Sequence, residues 1–398
     1  MRKVEIAALA MALAGCAAGP PIAEAPLSAG AASNALAVDL YRQLNGKPGN
    51  LVVSPASLAG AMAPVALGAR GETRAQIDRA LHFSPGDPTE AIGADFAALT
   101  GRQEGARVDI ANALWVQAGF AVKPAFVAAA KRNLGAAVAS LDFVQSQAAA
   151  ARINRWASDN TAGRIPTIVS ADSLGPATRL VVTNAVYLLA DWQNPFKAEN
   201  TGDAAFTSHS GRAMSVRMMR QHGSFRFIAR DGVKAIALPY RGGRLDMVAI
   251  LPDAAGGMPG LERRLDARWL ATMTAALDAS ALQAVELALP KLKTESEYQL
   301  AGPLTAMGMG KAFSDRAEFG GIADAPLSIS QVIQKTFLKI DEKGTEAAAV
   351  TSATIVVTGM QINREQTFIA DHPFLLLIRD RPTGQILFIG RIEAPVGG

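Results

Sequence analysis

The chain has 398 residues, 49% of them hydrophobic and 19% charged, with 39 basic and 35 acidic side chains giving a formal net charge of +4. That balance supports a large buried core and excludes a disordered chain. No apolar run reaches the roughly 20 residues that span a bilayer. Lys and Arg are scattered rather than clustered and aromatics are few, which argues against a nucleic-acid face.

In chain order, Arg2 and Lys3 open a short apolar stretch that ends in Leu13-Ala14-Gly15-Cys16. This resembles a bacterial lipoprotein signal: residues 1–15 are expected to be removed and Cys16, the chain's one cysteine, to be acylated. Residues 16–30, rich in Ala, Pro and Gly, are expected to tether a single domain over 31–398. Localisation is then the cell envelope or the exterior, with lipid on Cys16 the only membrane contact. With no second thiol, the domain is expected to be stabilised by packing alone.

Ala31–Leu44 has helical apolar spacing and stops at Asn45-Gly46. Leu51-Val52-Val53 reads as a strand, and Ser54-Pro55 opens a helix that runs towards Leu67-Gly68. A short helix is predicted over Arg70–Leu81, with Thr73 as its cap. Another is predicted over Gln147–Asp159, with Ile153 and Trp156 on one face. From Leu180 the period changes. Leu180–Leu189, Met214–Met219, Phe225–Ile228, Val233–Leu238, Leu245–Leu251 and Val285–Leu292 are short β-prone runs. Ser296–Met309 reads as a helix. Val332–Ile340, Phe374–Ile378 and Gln385–Ile392 are strands, the last two joined by a turn at Asp380–Gly384. Helices first and strands later imply one interwoven α+β fold.

The chemistry-bearing residues do not assemble into an enzyme. His82, His209, His222 and His372 have no metal-ligand spacing, and there is no GxSxG elbow. Gly308-Met309-Gly310-Lys311 lacks the spacing and the following Ser or Thr of a phosphate loop. Asp341-Glu342 reads as a solvated strand end. No cofactor and no metal are expected.

The segment Thr345–Thr358, between Gly344 and Gly359, behaves differently. It has no Pro, no internal Gly and one charge, Glu346. Read with period two, one face is Thr345, Ala347, Ala349, Thr351, Ala353 and Ile355, small and uncharged and suited to lie on a core. The other face carries Glu346, Ala348, Val350, Ser352, Thr354 and Val356. Such a segment fits either a permanent Ala-rich strand or a strand that transfers from a loop into a sheet; Gly344 as a pivot and the polar tail Gln361–Gln366 suit the second.

Asp341-Glu342-Lys343-Gly344-Thr345-Glu346-Ala347-Ala348-Ala349 is similar to the hinge of inhibitory serpins. The resemblance extends along nearly the whole chain. It takes in Asn50–Ser57, Leu67–Thr73, Thr183–Tyr187 with Trp192, Pro195-Phe196 and Asn200-Thr201, then Leu238-Pro239-Tyr240, Leu289-Pro290-Lys291, Ala370–Phe374 and Phe388–Arg391. It implies a metastable α+β fold, with helices packed around three β-sheets and an exposed reactive loop at about 342–366. It also implies a monomeric suicide substrate for a serine protease, or for a cysteine protease, rather than an enzyme. The alternative is a non-inhibitory serpin acting as a binding or chaperone module, but such members tend to carry charged or bulky hinge residues.

The family's hinge maps onto Glu342, Gly344, Thr345, Glu346, Ala347, Ala348 and Ala349. Family spacing places the scissile bond at Thr358–Gly359, with Val357 and Met360 as neighbouring candidates. No Arg or Lys lies there, so elastase- or subtilisin-like proteases are favoured over trypsin-like ones. The gate that controls sheet opening maps onto Ser54, Ser57, Asn184 and position 334. Many relatives have His at that last position; here it is Gln334, an amide that donates and accepts but does not titrate. Val350 is bulkier than the family norm, and falls on the outward face.

Overall fold

A computed structural model describes residues 29–84, 89–345 and 365–395. The expected signal, Cys16, most of the tether, hinge positions Glu346 to Ala349, and the scissile candidates Val357, Thr358, Gly359 and Met360 lie outside the described residues.

The helices are α1 (Ala29–Leu44), α2 (Pro55–Gly68), α3 (Gly71–Ala80), α4 (Thr89–Leu99), α5 (Pro124–Leu134), α6 (Ser146–Asn160), α7 (Met258–Arg264), α8 (Ala267–Ala279) and α9 (Ala301–Leu304). The first strands are β1 (Leu51–Val53), β2 (Gly101–Gln103), β3 (Ala106–Gln117), β4 (Ala137–Leu141) and β5 (Leu180–Asp191). Then come β6 (Gly202–Thr207), β7 (Ala213–Arg230), β8 (Val233–Pro239), β9 (Leu245–Pro252), β10 (Leu282–Pro290) and β11 (Leu292–Gln299). The series closes with β12 (Ile329–Ile340), β13 (Gly344–Thr345), β14 (Gln366–Ile369), β15 (Phe374–Asp380) and β16 (Gln385–Ile392).

Hydrogen bonding joins these strands into two ladders. The larger runs β1-β16-β15-β9-β8-β7-β10-β14, with β6 also on β7; the other runs β11-β12-β13-β5-β3-β2, with β4 on β3. The three sheets of the expected architecture form two ladders because β7 belongs to two of them. Its Ala213–Arg226 part pairs β6 and β10, and its Arg226–Arg230 part pairs β8. Gly223 does not divide it, so the runs at Met214–Met219 and Phe225–Ile228 are one strand.

The seven-stranded ladder sits between three layers. One face packs under α6, where Trp115, Phe143, Ile153, Tyr187 and Phe337 are buried together. The other face lies on the larger ladder at its hinge end, through Val186, Leu188, Ala190, Leu338 and Ile340, and on α2 further along, through Leu114, Val182 and Val332. Helix α2 is apolar on nearly all sides and is buried along almost its whole length. Its start is fixed by Ser54, whose side-chain oxygen accepts from the Ser57 backbone N–H (3.3 Å), and by Pro55 in the first turn.

Two local expectations are corrected. Thr73 lies inside α3 and does not cap it. Glu318 does so from outside, accepting from the Thr73 N–H (3.2 Å) while its own N–H donates to Thr73 Oγ1 (3.0 Å). Ser296–Met309 is not one helix, since Leu292–Gln299 is the edge strand β11, paired with β12 from Leu292↔Ile340 to Gln299↔Ile333. Its Glu, Lys and Gln favour helix locally. Pairing to β12, with Leu292 and Ser296 turned inward, overrides that preference.

Candidate functional site: the hinge and the gate of the central sheet

Strands β5 and β12 run parallel and pair directly from Leu180↔Ile329 to Tyr187↔Phe337. Beyond Phe337 they part, and β13 occupies the gap: Thr345 faces Ile340 of β12 and Ala190 of β5, and Gly344 faces Asp191. β13 is antiparallel to both neighbours. Two residues of an additional strand are therefore already seated at one end of the sheet.

The seat is built from aromatic and backbone groups. Thr345 is fully buried, with its Oγ1 2.6 Å from the Tyr240 hydroxyl. Tyr240 stacks on Trp192 (4.5 Å, 6°), and Trp192 meets Phe196 edge-on. Trp192 donates its indole N–H to the Asp341 carbonyl (3.0 Å) and its backbone N–H to the Lys343 carbonyl (2.8 Å), and the Phe196 N–H donates to the Glu342 carbonyl (2.8 Å). The 341–344 turn is closed by Asp341 N–H to the Gly344 carbonyl (2.9 Å). A Cβ on Gly344 would run into the Ala190 carbonyl and the Asp191 backbone, so this pivot requires glycine.

Charges ring the seat. Lys291 pairs with Glu342 (3.1 Å) and Lys339 with Asp341 (2.9 Å). Burial pushes the Glu342 carboxyl up, but its hydrogen bonds to its own backbone and to Lys291 outweigh this and hold it below the usual range. Burial pushes Asp191 up, against the smaller opposing pull of Arg241 and Lys343. Burial likewise raises Tyr240, so its hydroxyl remains protonated.

The residues expected to form a gate lie further along the same two strands. The structure brings together all four predicted members, each essentially inaccessible to solvent. Gln334 accepts from the Ser54 N–H (3.0 Å) and donates to the Ser54 carbonyl (2.9 Å) and to Asn184 Oδ1 (2.7 Å). Asn184 Nδ2 contacts the Ser57 hydroxyl, the Ser57 carbonyl (3.2 Å) and Asn112 Oδ1 (2.7 Å). Gln334 thus bridges β12, β5 and the start of α2 through an uncharged amide.

Asn112 is a fifth member that the sequence reading missed. It sits directly opposite Asn184 in the β3–β5 register, as Gln334 does in the β5–β12 register. An Asn amid the apolar residues of β3 was the available signal. Among the described residues, no three His, Cys, Asp or Glu side chains could hold a metal ion, and no helix is long and apolar enough to cross a membrane.

Two strands that part at one end around a short antiparallel strand, with a buried row of amides and hydroxyls where they pair, define a class of α+β protein with a gap in its central sheet. A family model described as Serpin (serine protease inhibitor) matches residues 31–395, and the chain belongs to that family. It is 37% identical over 379 residues to the leukocyte elastase inhibitor of Sus scrofa, covering 92% of this chain and 99% of that one. It is also 38% identical over 373 residues to an uncharacterized serpin-like protein of Thermococcus kodakarensis, covering 92% and 86%. Among solved structures it is similar to Serpin48 of the insect Tenebrio molitor (TM-score 0.82, 29% identity, 92% and 97% covered). Uncleaved ovalbumin gives a TM-score of 0.83 at 28% identity, with 92% and 99% covered. Serpins are protease inhibitors rather than catalytic enzymes, although some members are non-inhibitory.

Proposed function

We propose that this serpin inhibits serine proteases as a suicide substrate, with the chain beyond Thr345 as bait and as incoming strand. The observation that carries this reading is the seating of Gly344-Thr345 between β5 and β12, antiparallel to both. Extending β13 replaces one parallel ladder by two antiparallel ones, the more stable pairing per residue. About ten added hydrogen bonds at about 0.5–1.5 kcal/mol each would contribute on the order of 10 kcal/mol before costs.

The register sets where each incoming residue goes. Continued from Thr345, it carries Ala347 between Leu338 and Leu188, Ala349 between Thr336 and Val186, and Thr351 between Gln334 and Asn184. The first two pairs line the interior between the ladders or border it, where a small residue fits and a large or charged one does not. Thr351 reaches the gate, where a hydroxyl can replace the hydrogen bond that Gln334 and Asn184 must give up.

In this reading the protease's nucleophilic hydroxyl attacks the carbonyl of Thr358, the amine of Gly359 leaves, and an ester links the two proteins. Val357 and Met360 border the same bond. Insertion then carries the ester-linked protease away before water hydrolyses the acyl group. The small, uncharged residues around the bond favour elastase- or subtilisin-like targets, as does the likeness to leukocyte elastase inhibitors. The protein is read as a monomer held at the cell envelope by lipid on Cys16; metabolic labelling with palmitate should mark it and fail to mark Cys16→Ala.

The test of inhibition is incubation with an elastase and with subtilisin. The expected result is an SDS-resistant adduct and release of a C-terminal peptide that begins at Gly359. Cleavage with no adduct across a panel of serine and cysteine proteases would defeat the inhibitory reading.

A further inference from the structure

Beneath α4 the fold leaves a cavity of about 160 Å³ bounded by α1, α2 and α4, lined by none of the hinge or gate residues. Its walls are mainly apolar, from Leu36, Ala59, Leu81, Ile92 and Phe96. Gly60 explains how α4 comes so close to α2, since a Cβ there would overlap the Phe96 ring. A void of about 150 Å³ with apolar walls is enough for a benzene-sized molecule.

One charged group breaks the apolar lining. Asp95, in the middle of α4, is half-buried at the cavity wall, and among the described residues no cation pairs with it. Asp380, whose charge acts on it, is already satisfied, holding the Arg244 guanidinium (2.6 Å) and the Thr383 hydroxyl (2.6 Å). His82, at the rim, is engaged with Asp39 (2.7 Å). Burial and the negative charge of Asp380 both push the Asp95 carboxyl up, as expected of an acid lacking a counter-charge. Gln385 adds an amide to the same wall.

We infer that this cavity is a binding site for a small organic cation, an ammonium group on a compact aryl or alkyl body. The body fills the space under α4 and the ammonium pairs with Asp95. An anion would face the Asp95 carboxylate, and a neutral molecule would leave Asp95 without its counter-charge. The site also touches function, because Ala59 lies two residues beyond Ser57 on the helix that carries the gate. An occupant braces α2 against α1 and α4.

The experiment is calorimetric titration of the full chain with benzylammonium, benzyl alcohol and benzoate. Fragments this small bind weakly, so a Kd of about 1 mM is expected for benzylammonium. It should bind about tenfold more tightly than benzyl alcohol, with benzoate undetectable, as one charge-assisted contact implies. In Asp95→Asn the ammonium and the alcohol should bind equally, whereas Asp39→Asn should keep the tenfold preference. Thermal melts of both variants report whether each remains folded. Equal binding of cation and alcohol to the unaltered protein, or a preference that survives Asp95→Asn, overturns the assignment. So does a preference that vanishes with Asp39→Asn alone, which would move the site to the neighbouring recess lined by Asp39 and His82, or the absence of saturable binding by any of the three.

Discussion

The hinge end of the β5–β12 pair and its middle are held by different chemistry. At the hinge end the strands stand apart, with Gly344-Thr345 between them and ion pairs from Lys291 and Lys339 at the rim. In the middle the strands pair directly, and Ser54, Ser57, Asn112, Asn184 and Gln334 lock them through neutral hydrogen bonds. In the inhibitory reading, opening would start where charges can rearrange in water and would be resisted where buried amides have to break together. Protons and salt act on the first region. The second responds to sequence alone.

The strongest way to break this contrast is Thr345→Arg. Thr345 has no solvent exposure and its hydroxyl meets Tyr240, so an arginine must either bury an unpaired charge or leave the gap. Either course costs several kcal/mol, and a strand that cannot keep its first residue seated inserts slowly. In the inhibitory reading the variant becomes a substrate, and the number of molecules consumed per protease inhibited should rise by about tenfold or more, counted by active-site titration. An unchanged count would show that Thr345 need not lie inward.

Asn184→Ala attacks the middle. It removes the partner of the Ser57 hydroxyl and of Asn112 Oδ1 and one of the two acceptors of Gln334 Nε2, which keeps only the Ser54 carbonyl, in a region closed to water. Each buried group left without a partner costs about 1–3 kcal/mol, and because they belong to one network the total is less than the sum. A fall of several degrees in Tm and faster spontaneous loss of inhibitory activity are expected. A melting curve that overlays the parent's would mean that the amide row holds nothing.

Gln334→His sharpens the comparison by giving the middle a titratable member. A neutral imidazole can still accept and donate once each. Protonation at this fully buried position is disfavoured, so the folded-state pKa falls below the unfolded value of about 6.5. The unfolded chain then binds more protons than the folded one as pH drops below about 6.5, and stability is lost in that direction. The gap in stability from the parent should be smallest near pH 8 and should widen by up to about 1.4 kcal/mol per pH unit until the folded pKa is reached. Urea midpoints across that range check the sign; a gap that narrows on acidification contradicts a closed, apolar gate.

How far the sequence carried this picture differs between the two regions. The inward face of Thr345 followed from alternation of small residues, and Ser54 as a helix start followed from Ser-Pro before an apolar run. The gate was reached only through family resemblance, since Ser54, Ser57, Asn184 and Gln334 are up to 280 positions apart in sequence. Asn112 escaped because its one local mark, a polar residue in an otherwise apolar stretch, names no partner. Only the β3–β5 register, with Asn112 opposite Asn184, brings it into the row. Tyr240 and Trp192 were visible as family positions, but their stacking under Thr345 depends on Tyr240 leaving β8 beside the end of β5. Strand β11 was misread because an edge strand with one polar face can be written in helix-forming residues.

The smallest effect belongs to the rim. Glu342 and Lys291 are each partly exposed at 3.1 Å, and such a pair contributes at most about 1 kcal/mol in physiological salt. Hydrogen bonds and Lys291 hold the Glu342 carboxyl below its ordinary range despite partial burial. A carboxyl with a lowered folded pKa stabilises the fold above the unfolded pKa of about 4.3 and loses that contribution as pH falls through the folded value. Glu342→Gln should therefore melt slightly below the parent at neutral pH, with the difference closing on acidification below about pH 4 and shrinking in high salt. If the difference instead grew on acidification, or ignored salt, Glu342 would be holding the hinge by packing, and the rim would resemble the middle more closely than its charges suggest.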